Sequence, residues 1–192
     1  MTVQSGDDVR TNVIIIDDFY SNPDEVRAFA LQQEFVVKKN FPGKRTASFI
    51  NESTKEGLQK IIQPFGGNII DWYEEEGGTG SFQYTTALDR SWMHVDNYNT
   101  WAGVCYLTPN APLSGGTGLF KHKERNTMYD MRKSLDGETQ DMTKWEMVDR
   151  IGNVYNRLVL YRGDIYHTSL DYFGKDIQDG RLFQVFFLNT EY

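Results

Sequence analysis

Hydrophobic positions along the chain change their period near residue 67. Val13-Ile14-Ile15-Ile16 is a short β-branched run and reads as a strand buried on both faces. A helix is predicted after it. Asn22 is placed to cap that helix, Pro23 suits its first turn, and Asp24 and Glu25 favour the positive end of its dipole. Val26, Phe29 and Ala30 then share one face. Ser53-Thr54-Lys55-Glu56 reads as a capping box that opens a second helix. Leu58, Ile61, Ile62 and Phe65 give that helix an apolar face, and Pro64 with Gly66-Gly67 ends it.

From about residue 67, short apolar runs alternate with turns rich in Gly, Asn, Asp and Pro. The predicted strands are 68–73, 81–88, 92–96, 101–107, 117–121, 156–162, 164–168 and 181–189. Strands at this spacing point to a β-sandwich or small barrel. Met142, Trp145, Val148 and Ile151 recur at helical spacing, so 141–151 is predicted as a helix inside a long insertion near 122–151. No repeat, low-complexity stretch or linker interrupts the pattern, and 192 residues suit a single domain, 1–192. Within it, 1–12 reads as a loose arm, 13–66 as mainly helical and 67–192 as the β core.

Composition narrows the function classes. Apolar residues make up 39% and aromatics 14%, enough for a real core. A net charge of −7 argues against nucleic acid as partner, because phosphates need concentrated Lys and Arg. The acidic trio Glu74-Glu75-Glu76 reads as a solvated turn. Cys105, the only cysteine, lies in an apolar run and reads as a buried small hydrophobe. The polar, acidic start of the chain lacks the pattern of a secretory signal. No apolar run approaches the roughly 20 residues that span a bilayer. A cytoplasmic protein with no membrane partner is expected, and oligomeric state is not legible.

The candidate chemistry lies on two of the three histidines, His94, His122 and His167. In a strand Trp92-Met93-His94-Val95-Asp96, residues 94 and 96 point to the same face, so an imidazole and a carboxylate sit side by side. A third ligand must come from elsewhere. His167 follows an apolar strand and a Gly163-Asp164 turn, 167 − 94 = 73 residues on, a separation an antiparallel sandwich can close. Two imidazoles and one carboxylate make a facial triad with three open positions, suited to a keto acid and dioxygen. A keto acid such as 2-oxoglutarate also needs a cation for its distal carboxylate. Arg181 opens the last strand, 181 − 167 = 14 residues after His167, on one face with Phe183, Val185 and Phe187. A buried guanidinium there demands a carboxylate. A surface ion pair with Asp176 or Asp179 is the alternative for Arg181. His122, between Lys121 and Lys123, reads as an exposed turn residue.

Taken together, these residues resemble the iron(II)/2-oxoglutarate-dependent dioxygenase superfamily, and within it the prolyl-4-hydroxylase-like branch. The resemblance covers about residues 80–190. It is carried by His94-x-Asp96, Gly103-Val104-Cys105-Tyr106-Leu107-Thr108-Pro109 with Gly115-Gly116-Thr117-Gly118-Leu119-Phe120 after it, Gly163-Asp164-Ile165-Tyr166-His167, and Arg181. It implies a mainly β fold with flanking helices around a double-stranded β-helix, or jelly-roll, core. It implies that His94, Asp96 and His167 bind Fe(II) and that Arg181 binds the co-substrate's distal carboxylate. Prolyl-hydroxylase-type members generally use Lys at that place, which makes Lys175 a rival. Tyr84 and Tyr106 are candidates to bond the co-substrate's carboxylates, with core aromatics as the alternative. The implied reaction uses Fe(II), 2-oxoglutarate and O2 to hydroxylate an unactivated C–H bond of a small molecule or peptide. The competing reading is a non-catalytic jelly-roll binding module with residual metal affinity. Trp92, Tyr98 and Trp101 are candidate pocket or rim aromatics. The segment 121–150 is expected at the substrate entrance, because long insertions in compact domains are often functional.

Overall fold

The structure, a computed structural model, describes residues 10–37, 41–74, 78–96, 98–130, 135 and 137–192. Most of the predicted arm and most of the Glu74–Glu76 trio lie outside the described residues. The part of the arm that is described is tied down: Arg10 pairs with both carboxylate oxygens of Asp164 and lies over the Tyr129 ring.

Two antiparallel sheets form a jelly-roll. The larger holds β1 (Val13–Ile16), β2 (Lys44–Ser48), β3 (Asn68–Asp71), β4 (Ser81–Thr85), β5 (Trp101–Tyr106), β8 (Leu158–Arg162) and β10 (Arg181–Glu191). Its order is β1-β8-β5-β10-β4-β2, with β3 paired to the far end of β10. The smaller sheet holds β6 (Thr117–His122), β7 (Trp145–Ile151) and β9 (His167–Ser169), in the order β7-β6-β9.

Alternation along the strands gives the large sheet two apolar faces. Leu182, Phe186 and Leu188 of β10 join Trp101, Cys105, Leu158 and Leu160 on the outer face. There they pack against α1 (Pro23–Ala30) and α2 (Glu52–Gly66), whose Ala30, Leu58 and Ile62 are buried. Each large side chain fully buried in this layer contributes roughly 2 kcal/mol of transfer free energy. The inner face carries Phe183 and Val185 of β10, Val104 and Tyr106 of β5, and Val159 and Tyr161 of β8, and looks at the small sheet.

Several predicted elements differ from those observed. The predicted helix over 141–151 is a short 3-10 turn, Met142–Lys144, and then strand β7. Of the four residues at helical spacing, only Trp145 and Ile151 are buried, while Met142 and Val148 stand in solvent. Those two end a strand whose backbone pairs with β6. The strand β2, Lys-Arg-Thr-Ala-Ser, has no apolar alternation and was not predicted; only Thr46 is buried in it. β1 is an edge strand with Ile14 in and Ile15 out, not a strand buried twice. α2 starts two residues earlier than a Ser53 capping box implies. Asn51 is its N-cap, and its side chain accepts from the Thr54 N–H at 2.9 Å. Gly67, with φ 78°, closes it in a conformation glycine adopts freely.

Candidate metal centre and its cavity

His94 and Asp96 sit in an extended segment, not in a full strand. Only His94 forms a bridge, to His167, through His94 N–H to His167 O (3.1 Å) and the reverse bond (2.9 Å). Met93 on the other side bonds the carbonyl of Thr139, so the segment is shared between the small sheet and the insertion. Asp96 N–H donates to Gly163 O at 2.7 Å, which ties the aspartate to the turn that precedes β9. Gly163 has to be glycine here: a Cβ would lie 2.1 Å from Asn99 O and 2.6 Å from Asp96 O.

These ties bring the three predicted ligands together. Donor atoms of His94, Asp96 and His167 all lie within 4.8 Å of one another. Both imidazoles are oriented by the same local device. Nδ1 of His94 lies 2.9 Å from Trp92 O, and Nδ1 of His167 lies 2.9 Å from Ile165 O. A carbonyl only accepts, so each Nδ1 carries the proton and each Nε2 keeps its lone pair for a metal. His167 Nε2 lies 3.2 Å from Asp96 Oδ2. Burial, reinforced by neighbouring His167, pushes His94 down to about 4, so this ring is neutral near pH 7. Burial alone would raise Asp96, but its contacts with His167 and His94, and the charge of Arg45, hold it below the usual carboxylate range. Two imidazole nitrogens and one carboxylate are the donor set a ferrous ion takes.

The triad opens on a cavity of about 530 Å3 between the sheets. Val104, Phe183, Val185 and Phe187 form its apolar wall, Thr117 also lines it, and Tyr161 lines it beside the triad, its ring 4.5 Å from that of His167. Tyr106 donates or accepts a hydrogen bond with Thr117 at 2.7 Å. Arg181 is fully buried beside Tyr106, with its guanidinium 4.2 Å from the Phe183 ring and 5.3 Å from the Tyr106 ring. Its Nε donates to Gly115 O at 2.9 Å and Nη2 to Gly116 O at 3.4 Å, while Nη1 is buried with no partner. No ion pair with Asp176 or Asp179 forms. The rival Lys175 is exposed in the hairpin before β10.

Other expectations require correction. Tyr84 is not brought to the cavity. It shares the outer face of the large sheet with Phe82 and packs edge-on against Phe35 at 5.1 Å. Of the aromatics near the H-x-D segment, Trp92 and Tyr98 line the cavity, while Trp101 is buried under the helices. His122 is not an exposed turn residue but fully buried, between Trp145 and Glu138. Cys105 is buried, and that burial pushes its thiol well up, as expected of a packing residue.

Sequence reasoning missed Arg45. It reaches the cavity from β2, lies 4.0 Å over the Phe41 ring, and donates to Gln83 Oε1 from Nε (2.9 Å) and Nη2 (2.6 Å). Burial pushes it down to about 10, and it stays charged at neutral pH. No signal in the sequence marked it, because β2 itself carries none.

Comparison with known proteins agrees with this fold. The model of a family described as "Family of unknown function (DUF6445)" matches residues 1–188. No curated protein sequence matches the chain. Among solved structures, HygX from Streptomyces hygroscopicus, with nickel, 2-oxoglutarate and hygromycin B bound, superposes with a TM-score of 0.70. It is 10% identical, over 95% of this chain and 84% of its own. A prolyl-4-hydroxylase from Pseudomonas putida gives a TM-score of 0.53 at 14% identity, over 94% of both chains. A prolyl hydroxylase from Trichoplax adhaerens, in complex with a hypoxia inducible factor peptide, gives 0.54 at 14% identity, over 93% of this chain and 84% of its own. The fold is therefore that of the iron- and 2-oxoglutarate-dependent oxygenases. Among the described residues, no helix is long and apolar enough to cross a membrane.

Proposed function

We propose that this chain, which belongs to the DUF6445 family, is an iron(II)- and 2-oxoglutarate-dependent oxygenase that hydroxylates an unactivated C–H bond of a small-molecule or peptide substrate. One observation carries this reading. A cavity lined by His94, Asp96 and His167 also has Phe183 and Thr117 in its wall, and behind that wall lies a fully buried guanidinium, Arg181, 4.2 Å from the Phe183 ring, whose Nη1 has no partner. A buried guanidinium left in that state is costly unless a carboxylate completes it.

His94, Asp96 and His167 would hold the iron, and Arg181 would take the distal carboxylate of the keto acid. When bound, iron and keto acid supply the dioxygen-activating chemistry. The chain's own residues prepare the site for it. Trp92 O and Ile165 O fix the tautomers of the two histidines. The Tyr106–Thr117 hydroxyl pair stands beside Arg181 and can turn a donor toward a carboxylate. Val104, Phe183 and Val185 give the cavity an apolar wall beside the triad. Trp92 and Tyr98 place aromatic surface on the wall a substrate would meet.

Anaerobic titration of the purified protein with iron(II) and 2-oxoglutarate tests the reading. A visible metal-to-ligand charge-transfer band is expected, absent in His94→Ala and weakened in Arg181→Ala. A folded, iron-loaded protein that gives no band would overturn the co-substrate assignment.

A further inference from the structure

A second cavity of about 230 Å3 opens beside the first. Tyr98, Asn99 and Asn189 line both, so the two are neighbours that share these three residues. Thr100, Arg162 and Asp164 complete the wall of this annex.

Arg162 ends β8 and extends its guanidinium toward the Trp101 ring, 5.5 Å from its centroid. Its side chain makes no hydrogen bond or ion pair with any described residue, and its Nε is buried with no partner. Asp164 is the carboxylate nearest in sequence, yet both of its oxygens are taken by Arg10 Nη2, at 2.6 and 2.8 Å. The acid of the annex is thus neutralised, and Arg162 leaves the annex with a net positive charge. Asn99 adds a second unsatisfied group: its Oδ1 is buried with no partner. An amide turned about its last bond offers NH2 in that place just as well. Asn189, in contrast, is fully engaged, accepting from Thr100 N–H and donating to Asp71.

We propose that the annex receives an anionic group of the substrate, a carboxylate or a phosphate, with Arg162 as its counter-ion and Asn99 as a further polar contact. A forked guanidinium without a partner matches either oxyanion. The protein as a whole carries −7, so its overall field repels anions and only a local cation can retain one. Arg45 enters the main cavity from β2 at the opposite edge of the sheet, but Asp71 and Asp96 line that cavity too, so the cation that would retain an anion in the annex is Arg162. Calling the occupant the substrate rests on the oxygenase reading; the capture of an anion does not.

The test is calorimetric titration of the purified protein with phenyl phosphate, phenylacetate and the uncharged 2-phenylethanol. At least one of the two anions is expected to bind tenfold or more tightly than the alcohol, and which one does so decides between phosphate and carboxylate. Arg162→Gln is expected to lose at least tenfold in affinity for that anion, and Arg162→Lys to regain part of it. Equal binding of the alcohol, or affinity unchanged in Arg162→Gln, would overturn the proposal, as would the absence of anion binding to folded wild-type protein. The charge-transfer titration on the same preparations keeps the two readings apart. Arg162-dependent anion binding without a band leaves the annex standing and removes the oxygenase. A band with Arg162-independent anion binding does the reverse.

Discussion

The candidate metal end of the main cavity and the guanidinium end behind its wall are built in opposite ways. At the metal end, position comes from local backbone. His94 and His167 are each fixed by a carbonyl two residues back, on a single bridge and a three-residue strand, and Asp96 is fixed by one bond to Gly163. Behind the cavity's Phe183 wall, Arg181 sits on the 11-residue β10, flanked by β5 and β4, and is held by packing against Phe183 and Tyr106. The metal end therefore depends on a few hydrogen bonds and little on the core. The guanidinium end is part of the core. The two should fail independently, and each prediction below tests that separation.

The largest effect is expected at the ligands. His94→Ala or Asp96→Ala should abolish specific metal binding, a loss beyond the roughly 10- to 100-fold that outer-sphere changes give. Since neither residue belongs to a hydrophobic cluster, the thermal midpoint of the metal-free protein should barely move. Calorimetric titration with manganese(II), paired with a thermal melt, measures both. A melt that collapses in either variant would show that the metal end is structural after all.

Next comes Arg181→Met, which keeps much of the side chain's volume and removes its charge. Losing one partner of a buried, hydrogen-bonded charge pair costs about 2–4 kcal/mol, roughly 30- to 1,000-fold in keto-acid affinity. Metal affinity in the absence of keto acid should stay within about twofold if the two ends are separate. In the wild type, 2-oxoglutarate with manganese(II) should raise the thermal midpoint through mass action, and in Arg181→Met that increment should largely vanish. A variant that loses manganese(II) as well would join the two ends into one unit.

The same contrast explains what the sequence disclosed. The candidate metal ligands are legible because chemistry and alternation are local: one histidine and one aspartate two residues apart, and a histidine after a Gly-Asp turn. Arg181 was legible because a charge in an apolar run is conspicuous. What the sequence hid is what long-range pairing decides. β7 carries a spacing that fits a helix, and only its pairing with β6 makes it a strand. Tyr84 was misplaced because strand parity is set by register: Tyr84 pairs with Lys44 and Leu182 and faces the helices, while Gln83 faces the cavity. Arg45 and Arg162 carry no mark in the sequence, since neither β2 nor the end of β8 announces a cavity.

Gly163→Ala is a gentler test of the metal end. The added methyl meets two backbone carbonyls, of Asn99 and Asp96, so the loop that carries Asp96 must move. Overpacking of this kind costs about 1–3 kcal/mol. Because the loop lies outside the main core, the strain should appear chiefly as a shifted Asp96. Manganese(II) affinity should fall about tenfold, within the range of outer-sphere effects, while keto-acid discrimination by Arg181 persists. Unchanged metal affinity would mean that Gly163 O is not what positions the carboxylate.

The smallest effect belongs to the helical layer. Asn51 caps α2, and its side chain accepts from Thr54 N–H. Asn51→Ala should cost about 1 kcal/mol, a drop of roughly 2–4 °C in the thermal midpoint for a chain of this size. α2 packs only on the outer face of the large sheet, so this loss should reach neither end of the cavity. Metal and keto-acid affinities measured well below the midpoint should match the wild type. If they fall together with stability, the outer layer is holding Arg181 in place through β10. The guanidinium end would then depend on the whole thickness of the fold, and the metal end would stand apart from it still more clearly.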